Sequence, residues 1–190
     1  MLQKDICVVL NTKRGKISVN LIQTSKMKQF AFGLFFTFML LSFTGADRVF
    51  PDATLKQLDG KSISVKSEFA KNKLTFVSFW ATWCAPCKRE LDAMAELYPG
   101  WKTKYGVEIM AISVDDARGF AKVPALVKSK GWEYNILVDS NQSLQQALNF
   151  QSIPQSFLVD QEGNILYAHT GYSPGDEFEL EDLFKKFTKE

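Results

Sequence analysis

From residue 50 onward, apolar positions recur with two periods, and the period changes mark the elements. Leu74-Thr75-Phe76-Val77-Ser78-Phe79-Trp80 is apolar on both faces, as a central strand covered by helices must be. Val107-Glu108-Ile109-Met110-Ala111-Ile112-Ser113-Val114 repeats that pattern. Ahead of both, Ala53–Leu58 and Lys61–Val65 alternate around Asp59-Gly60, which predicts a hairpin, and Ser67–Ala70 predicts a short helical turn. Between the two central strands, Leu91, Met94, Ala95 and Tyr98 share one face of a helix over Lys88–Tyr98. Pro99-Gly100 is expected to kink or end that helix, because proline removes a backbone donor and crowds the preceding turn. Trp101–Tyr105 then resumes a turn.

The second half alternates in the same way. Pro124 suits the first turn of a helix that runs through Lys130 and stops at Gly131. Tyr134–Val138 predicts a short strand, and Ser140 is the expected cap of a helix carrying Leu144, Ala147 and Leu148 on one face. Ser156–Asp160 and Asn164–His169, joined at Gln161-Glu162-Gly163, predict a second hairpin. The last helix, 176–187, opens on Asp176 and Glu177, closes on Lys185 and Lys186, and buries Leu180, Leu183, Phe184 and Phe187. Strands alternating with helices, then a hairpin and a terminal helix, predict an α/β fold with a mixed central sheet. A chain of 190 residues suffices for one such core.

Residues 30–43 form a charge-free apolar run that follows Lys26 and Lys28 and precedes Thr44-Gly45-Ala46. That layout predicts a secretory signal over 27–46, within an N-terminal extension 1–46 that precedes the domain 47–190. The run is shorter than the roughly 20 apolar residues of a membrane span; an uncleaved anchor is the alternative. Met27 stands where a signal would naturally begin. The extension holds six Lys/Arg and one acid, leaving 17 of the 23 basic and 20 of the 21 acidic residues in the remainder, a net of −3. With no dense basic patch, nucleic acid is excluded as a partner.

Of three cysteines, Cys7 lies in the extension, and Cys84 and Cys87 form a Cys-x-x-Cys where the first central strand hands over to its helix. Unpaired N–H groups and the partial positive charge of a helix start favour a thiolate. This places Cys84 at the exposed edge of the turn and Cys87 one turn in, an attacking thiol beside a resolving one.

Trp83-Cys84-Ala85-Pro86-Cys87-Lys88, followed about seventy residues later by Ile153-Pro154 before a hairpin, resembles the thioredoxin fold. Phe79-Trp80-Ala81-Thr82-Trp83-Cys84-Ala85-Pro86-Cys87-Lys88-Arg89-Glu90, with the early hairpin and the helix–strand insertion near 115–139, is similar to TlpA/ResA-type extracytoplasmic thiol–disulfide oxidoreductases. The resemblance covers roughly residues 50–190. It implies a redox-active Cys84–Cys87 disulfide and a cis Ile153–Pro154 bond facing it. It implies a substrate wall of Trp83, Ala85, Pro86, Ile153 and Pro154, with Trp80 in the core. Glu90 matches a glutamate beneath the disulfide that exchanges a proton with Cys87, the other reading being an exposed ion-paired glutamate. Ser78 stands where cytosolic thioredoxins carry a buried aspartate, which leaves Glu90 that role. Asp92 replaces a helix-kinking proline.

With the signal layout, this resemblance predicts a periplasmic protein, expected to act as a monomer without cofactor or metal. It would reduce protein disulfides, those of apocytochrome c among them, and draw electrons from a membrane thiol-transfer reductant. The absence of histidine between the cysteines points to a reducing pair. Two other classes compete. A peroxiredoxin-like thiol peroxidase shares the fold and would use Thr82 near Cys84. A zinc module would need more ligands than a Cys-x-x-Cys with His169 supplies; His169 reads as an ordinary strand residue.

Overall fold

A computed structural model gives the fold and describes residues 12–13, 16–17 and 48–188. The chain divides into two units, Met1–Ala46 and Asp47–Glu190. In the first, Thr12–Lys13 pairs antiparallel with Lys16–Ile17. The expected signal over 27–46 lies outside the described residues.

In the second unit the elements are β1 (Thr54–Gln57), β2 (Ser62–Ser64), α1 (Val65–Phe69), β3 (Leu74–Trp80), α2 (Ala85–Tyr105), β4 (Val107–Ser113), α3 (Val123–Lys130), β5 (Asn135–Val138), α4 (Ser143–Leu148), β6 (Gln155–Asp160), β7 (Ile165–Thr170) and α5 (Asp176–Thr188). Seven strands form one sheet in the order β2-β1-β5-β4-β3-β6-β7. The central strands β3, β4 and β5 are parallel, while β1, β2, β6 and β7 join antiparallel. All seven residues of β3 are buried, as its two-faced apolar pattern requires. The fold is the thioredoxin-like α/β sandwich, with the early hairpin added at one sheet edge.

Three local expectations change. First, α2 does not end at Pro99-Gly100 but continues to Tyr105, where Gly106 caps it in the left-handed region (φ 64°). Pro99 and Gly100 are exposed, whereas Tyr98, Trp101 and Tyr105 are buried. Trp101 packs edge-on against Phe184 of α5 at 5.2 Å between centroids. Interior proline costs a helix about 3 kcal/mol, but each large aromatic gains about 2 kcal/mol or more on burial, so packing wins. Second, the N-terminus of α4 is capped by Asp139 rather than Ser140: its carboxylate accepts the N–H groups of Ser143, Leu144 and Gln145 at 2.9 to 3.2 Å. Third, the helical turn after the hairpin starts at Val65, directly off β2, with the Ser64 hydroxyl accepting the Ser67 N–H at 3.3 Å.

Asp92 also gains a role. Its carboxylate accepts Lys130 Nζ at 2.6 Å and Trp132 Nε1 at 3.1 Å, which ties α2 to the inserted segment.

Candidate active site

β3 delivers the chain to the site through Trp80 and Ala81, both fully buried. The turn Thr82-Trp83 follows, and α2 then starts at Ala85, three residues earlier than the apolar periodicity places it. Pro86 lies in the first turn, where its missing N–H costs nothing. Cys84 is therefore the N-cap residue, and its Sγ accepts the Cys87 N–H at 3.3 Å. That donor and the helix dipole both favour negative charge on Cys84 once the pair is reduced. The two cysteines are joined by a disulfide with their Cα atoms 5.4 Å apart.

Cys84 is only 4% exposed, so it is not the open edge its position suggests, and Cys87 is fully buried. Across from them, the Ile153–Pro154 bond is cis, and the Ile153 carbonyl oxygen lies 3.9 Å from Cys84 Sγ. Of the expected wall, Trp83 is 70% exposed, Ala85 is exposed, Pro86 and Ile153 are half-buried, and Pro154 is buried. The open surface beside Cys84 thus comes from Trp83 and Ala85.

Glu90 sits one turn along α2 from Cys87 and is only 4% exposed. It is not a solvent-facing ion-paired glutamate. The hydroxyls of Ser78 and Ser156 donate to its two oxygens at 2.7 and 2.9 Å. These serines face each other across the antiparallel β3–β6 ladder, so two strands jointly frame one carboxyl. Burial pushes its pKa up to about 7, partly opposed by the serine hydrogen bonds and reinforced by the negative charge of Asp176. Ser78, which stands in for the missing buried aspartate, serves Glu90 directly.

Asp115, just beyond the end of β4, is 2% exposed. It accepts the Thr82 N–H at 2.8 Å, the Thr82 hydroxyl at 2.7 Å and the Ser113 hydroxyl at 2.8 Å. The available signal was Ser113-Val114-Asp115 at a strand end, a spacing that suits side chains folding back on a turn. Outside this turn lies a groove of about 660 Å³ whose lining includes Trp83, Asp115, Arg118, Lys122 and Leu126. His169 lies in β7, its Nε2 3.4 Å from an Asp176 oxygen.

The AhpC/TSA family model matches residues 46–168. The thiol-disulfide oxidoreductase ResA of Bacillus thuringiensis is 34% identical over 138 residues, covering 73% of this chain and 76% of its own. The chain belongs to the AhpC/TSA family, alongside the ResA-type thiol–disulfide oxidoreductases. Among solved structures, a thioredoxin-like protein from Porphyromonas gingivalis is 38% identical with a TM-score of 0.62, covering 73% of this chain and 91% of its own. A thiol:disulfide interchange protein DsbE from Chlorobium tepidum shares the fold, with a TM-score of 0.66 at 22% identity over 75% of this chain and 96% of its own.

The site of this ResA-type oxidoreductase holds two cysteines already joined and an N–H aimed at one sulfur, both of which thiol–disulfide exchange uses. Among the described residues no helix is long and apolar enough to cross a membrane.

Proposed function

We propose that this oxidoreductase reduces disulfides of exported proteins outside the cytoplasm. The Cys84 thiolate attacks one substrate sulfur, forming a Cys84–substrate disulfide as the substrate S–S bond breaks, and the leaving thiolate takes a proton. Glu90 removes the proton of Cys87, whose thiolate then attacks Cys84 Sγ. The second substrate thiol leaves, and the Cys84–Cys87 disulfide remains with two electrons delivered to the substrate. A membrane thiol-transfer protein restores the dithiol.

The observation that carries this reading is Glu90, buried one turn along α2 from Cys87, accepting the Ser78 and Ser156 hydroxyls and raised by burial to a pKa of about 7. The reducing direction rests on the Ala85-Pro86 dipeptide, which adds no histidine to stabilise the Cys84 thiolate further. The export assignment rests on the basic, apolar and small-residue order of 27–46. Trp83, Ala85, Pro86, Ile153 and Pro154 form the wall against which an extended, disulfide-bearing segment docks, the Ile153 backbone pairing with it. The protein acts as a monomer, and apocytochrome c, with its paired cysteines, is the client that the family resemblance favours.

Trapping tests this. A Cys87→Ser variant, expressed with its N-terminal extension, should hold exported clients in mixed disulfides on Cys84, and mass spectrometry should find apocytochrome c among them. Capture of cytoplasmic proteins alone would contradict the assignment. So would a reduction potential near that of the strongest oxidants, about −120 mV, or peroxide consumption by the same variant.

A further inference from the structure

Thr82, two residues before the nucleophile, is held through each of its polar groups. Its N–H and hydroxyl both donate to Asp115, at 2.8 and 2.7 Å. Its carbonyl accepts Lys88 Nζ at 2.9 Å. Asp115 is fixed in turn, because the Ser113 hydroxyl donates to Oδ2 at 2.8 Å while the Asp115 N–H donates to Ser113 Oγ at 3.1 Å. Ser113 ends β4 in register with Trp80, the last residue of β3, and Val114 N–H donates to the Trp80 carbonyl at 2.9 Å. The ends of the two central strands are thus tied to one another, and Asp115 extends the tie to the turn that leads to Cys84.

Gly119 supplies an independent sign that this carboxylate is built in. Its φ of −72° is open to any residue, so backbone freedom does not call for glycine. Space does: a Cβ there would lie 2.8 Å from Asp115 Oδ1 and 2.9 Å from Asp115 Cβ. Real Cβ contacts do not come that close, so any side chain at 119 would displace Asp115.

We infer that Asp115 is a positioning residue for the exchange reaction, clamping Thr82 so that Cys84 is presented at a fixed angle, with Gly119 providing the room for the clamp. This rests on Cys84 being the attacking thiol. Burying a carboxylate is expensive unless donors surround it, and here the donors come from the turn that the nucleophile hangs from. Trp83, next in line, is 70% exposed and has little packing to hold it. Without the clamp, the turn would keep the Lys88 contact to the Thr82 carbonyl and the Cys84 N–H bond to the Ala81 carbonyl, but the Thr82 N–H and hydroxyl would lose their hold. In-line attack on a disulfide is sensitive to such slack, since misplacement by about 1 Å can cost up to about a hundredfold in rate.

The test uses full-length Asp115→Asn, Gly119→Ala and Thr82→Val proteins, assayed by dithiothreitol-driven insulin reduction, by equilibration of the Cys84–Cys87 pair with glutathione, and by thermal unfolding. Asparagine removes the charge, and its amide NH2 must face a hydroxyl that then has to turn and accept, which weakens the grip on Thr82. Each variant should lower kcat/KM about tenfold at temperatures well below its unfolding, with the glutathione equilibrium constant within twofold of wild type. Asp115→Asn combined with Gly119→Ala should be no slower than either alone, because both break one clamp. Folded variants with lower Tm but wild-type kcat/KM would overturn the inference, leaving Asp115 a purely structural residue; additive losses in the double variant would do the same. Thr82→Val removes a single hydroxyl bond and keeps the question answerable if Asp115→Asn does not fold. A Cys84→Ser control separates the two readings. If it still attacks insulin, the assignment of the nucleophile is what fails; if it is dead while the clamp variants match wild type, only the clamp fails.

Discussion

Two buried carboxyl groups flank the disulfide, and the protein surrounds them with different donors. Asp115, beside the turn, accepts a backbone N–H and two hydroxyls. Glu90, on the buried face of α2, accepts two serine hydroxyls. The Thr82 N–H can only donate, so the Asp115 oxygen that faces it must accept. A hydroxyl can rotate to donate or accept, so the serines around Glu90 serve its protonated and ionised forms alike. Burial then sets the balance and raises Glu90 to about 7. One carboxyl is suited to holding geometry, the other to changing its protonation.

The sharpest way to break this contrast is Asp115→Ala. It leaves the Thr82 N–H and two hydroxyls without their acceptor, and each unsatisfied buried donor costs about 1 to 3 kcal/mol. A loss of about 3 to 4 kcal/mol in urea unfolding of the oxidised protein is expected; a loss below about 1 kcal/mol would show that the bonds are dispensable.

Glu90→Gln should act through pH. The folded value, about 7, lies above the ordinary 4.5, so on raising the pH the unfolded chain releases its proton first. Stability from this group is complete below about pH 4.5, is lost progressively toward pH 7, and is flat beyond. At about 1.4 kcal/mol per pKa unit the loss is on the order of 3 kcal/mol. The glutamine variant should lack this slope and be the more stable protein at pH 8. An unchanged slope would mean that Glu90 is not the group responsible.

Ser156→Ala is a finer probe. It deletes a hydrogen bond that lowers the Glu90 pKa, so the midpoint of the pH–stability curve should move above 7. A downward shift would show that the hydroxyl favours the neutral acid. The smallest effect belongs to Asp59→Asn, which removes an exposed pair with Lys61 far from the site in sequence; both stability and exchange rate should stay at wild-type values.

Much of this arrangement was legible in the sequence because its signals are local. The two-faced run of β3, the Asp59-Gly60 turn and the Cys-x-x-Cys at a strand–helix junction each announce themselves within a few residues, while Ile153-Pro154 stands out only through the family resemblance. What escaped depends on contacts across the fold. Asp115 and Asp139 resemble ordinary loop acids until the turns that they cap are in view. Pro99 reads as a helix stop, and only the burial of Trp101 and Tyr105 against α5 explains why α2 passes through it. Glu90 was marked by the family resemblance alone, and its burial depends on Ser78 and Ser156, 78 residues apart, meeting across two strands.

The most direct measurement is the lifetime of the mixed disulfide as a function of pH, followed by rapid acid quench after mixing the reduced protein with insulin. If Cys84 attacks and Glu90 draws the proton from Cys87, the wild-type intermediate is held on Cys84 and collapses faster as pH rises through about 7. In Glu90→Gln it should accumulate across the whole range. An intermediate on Cys87, or the same lifetime and pH dependence in both proteins, would contradict the account.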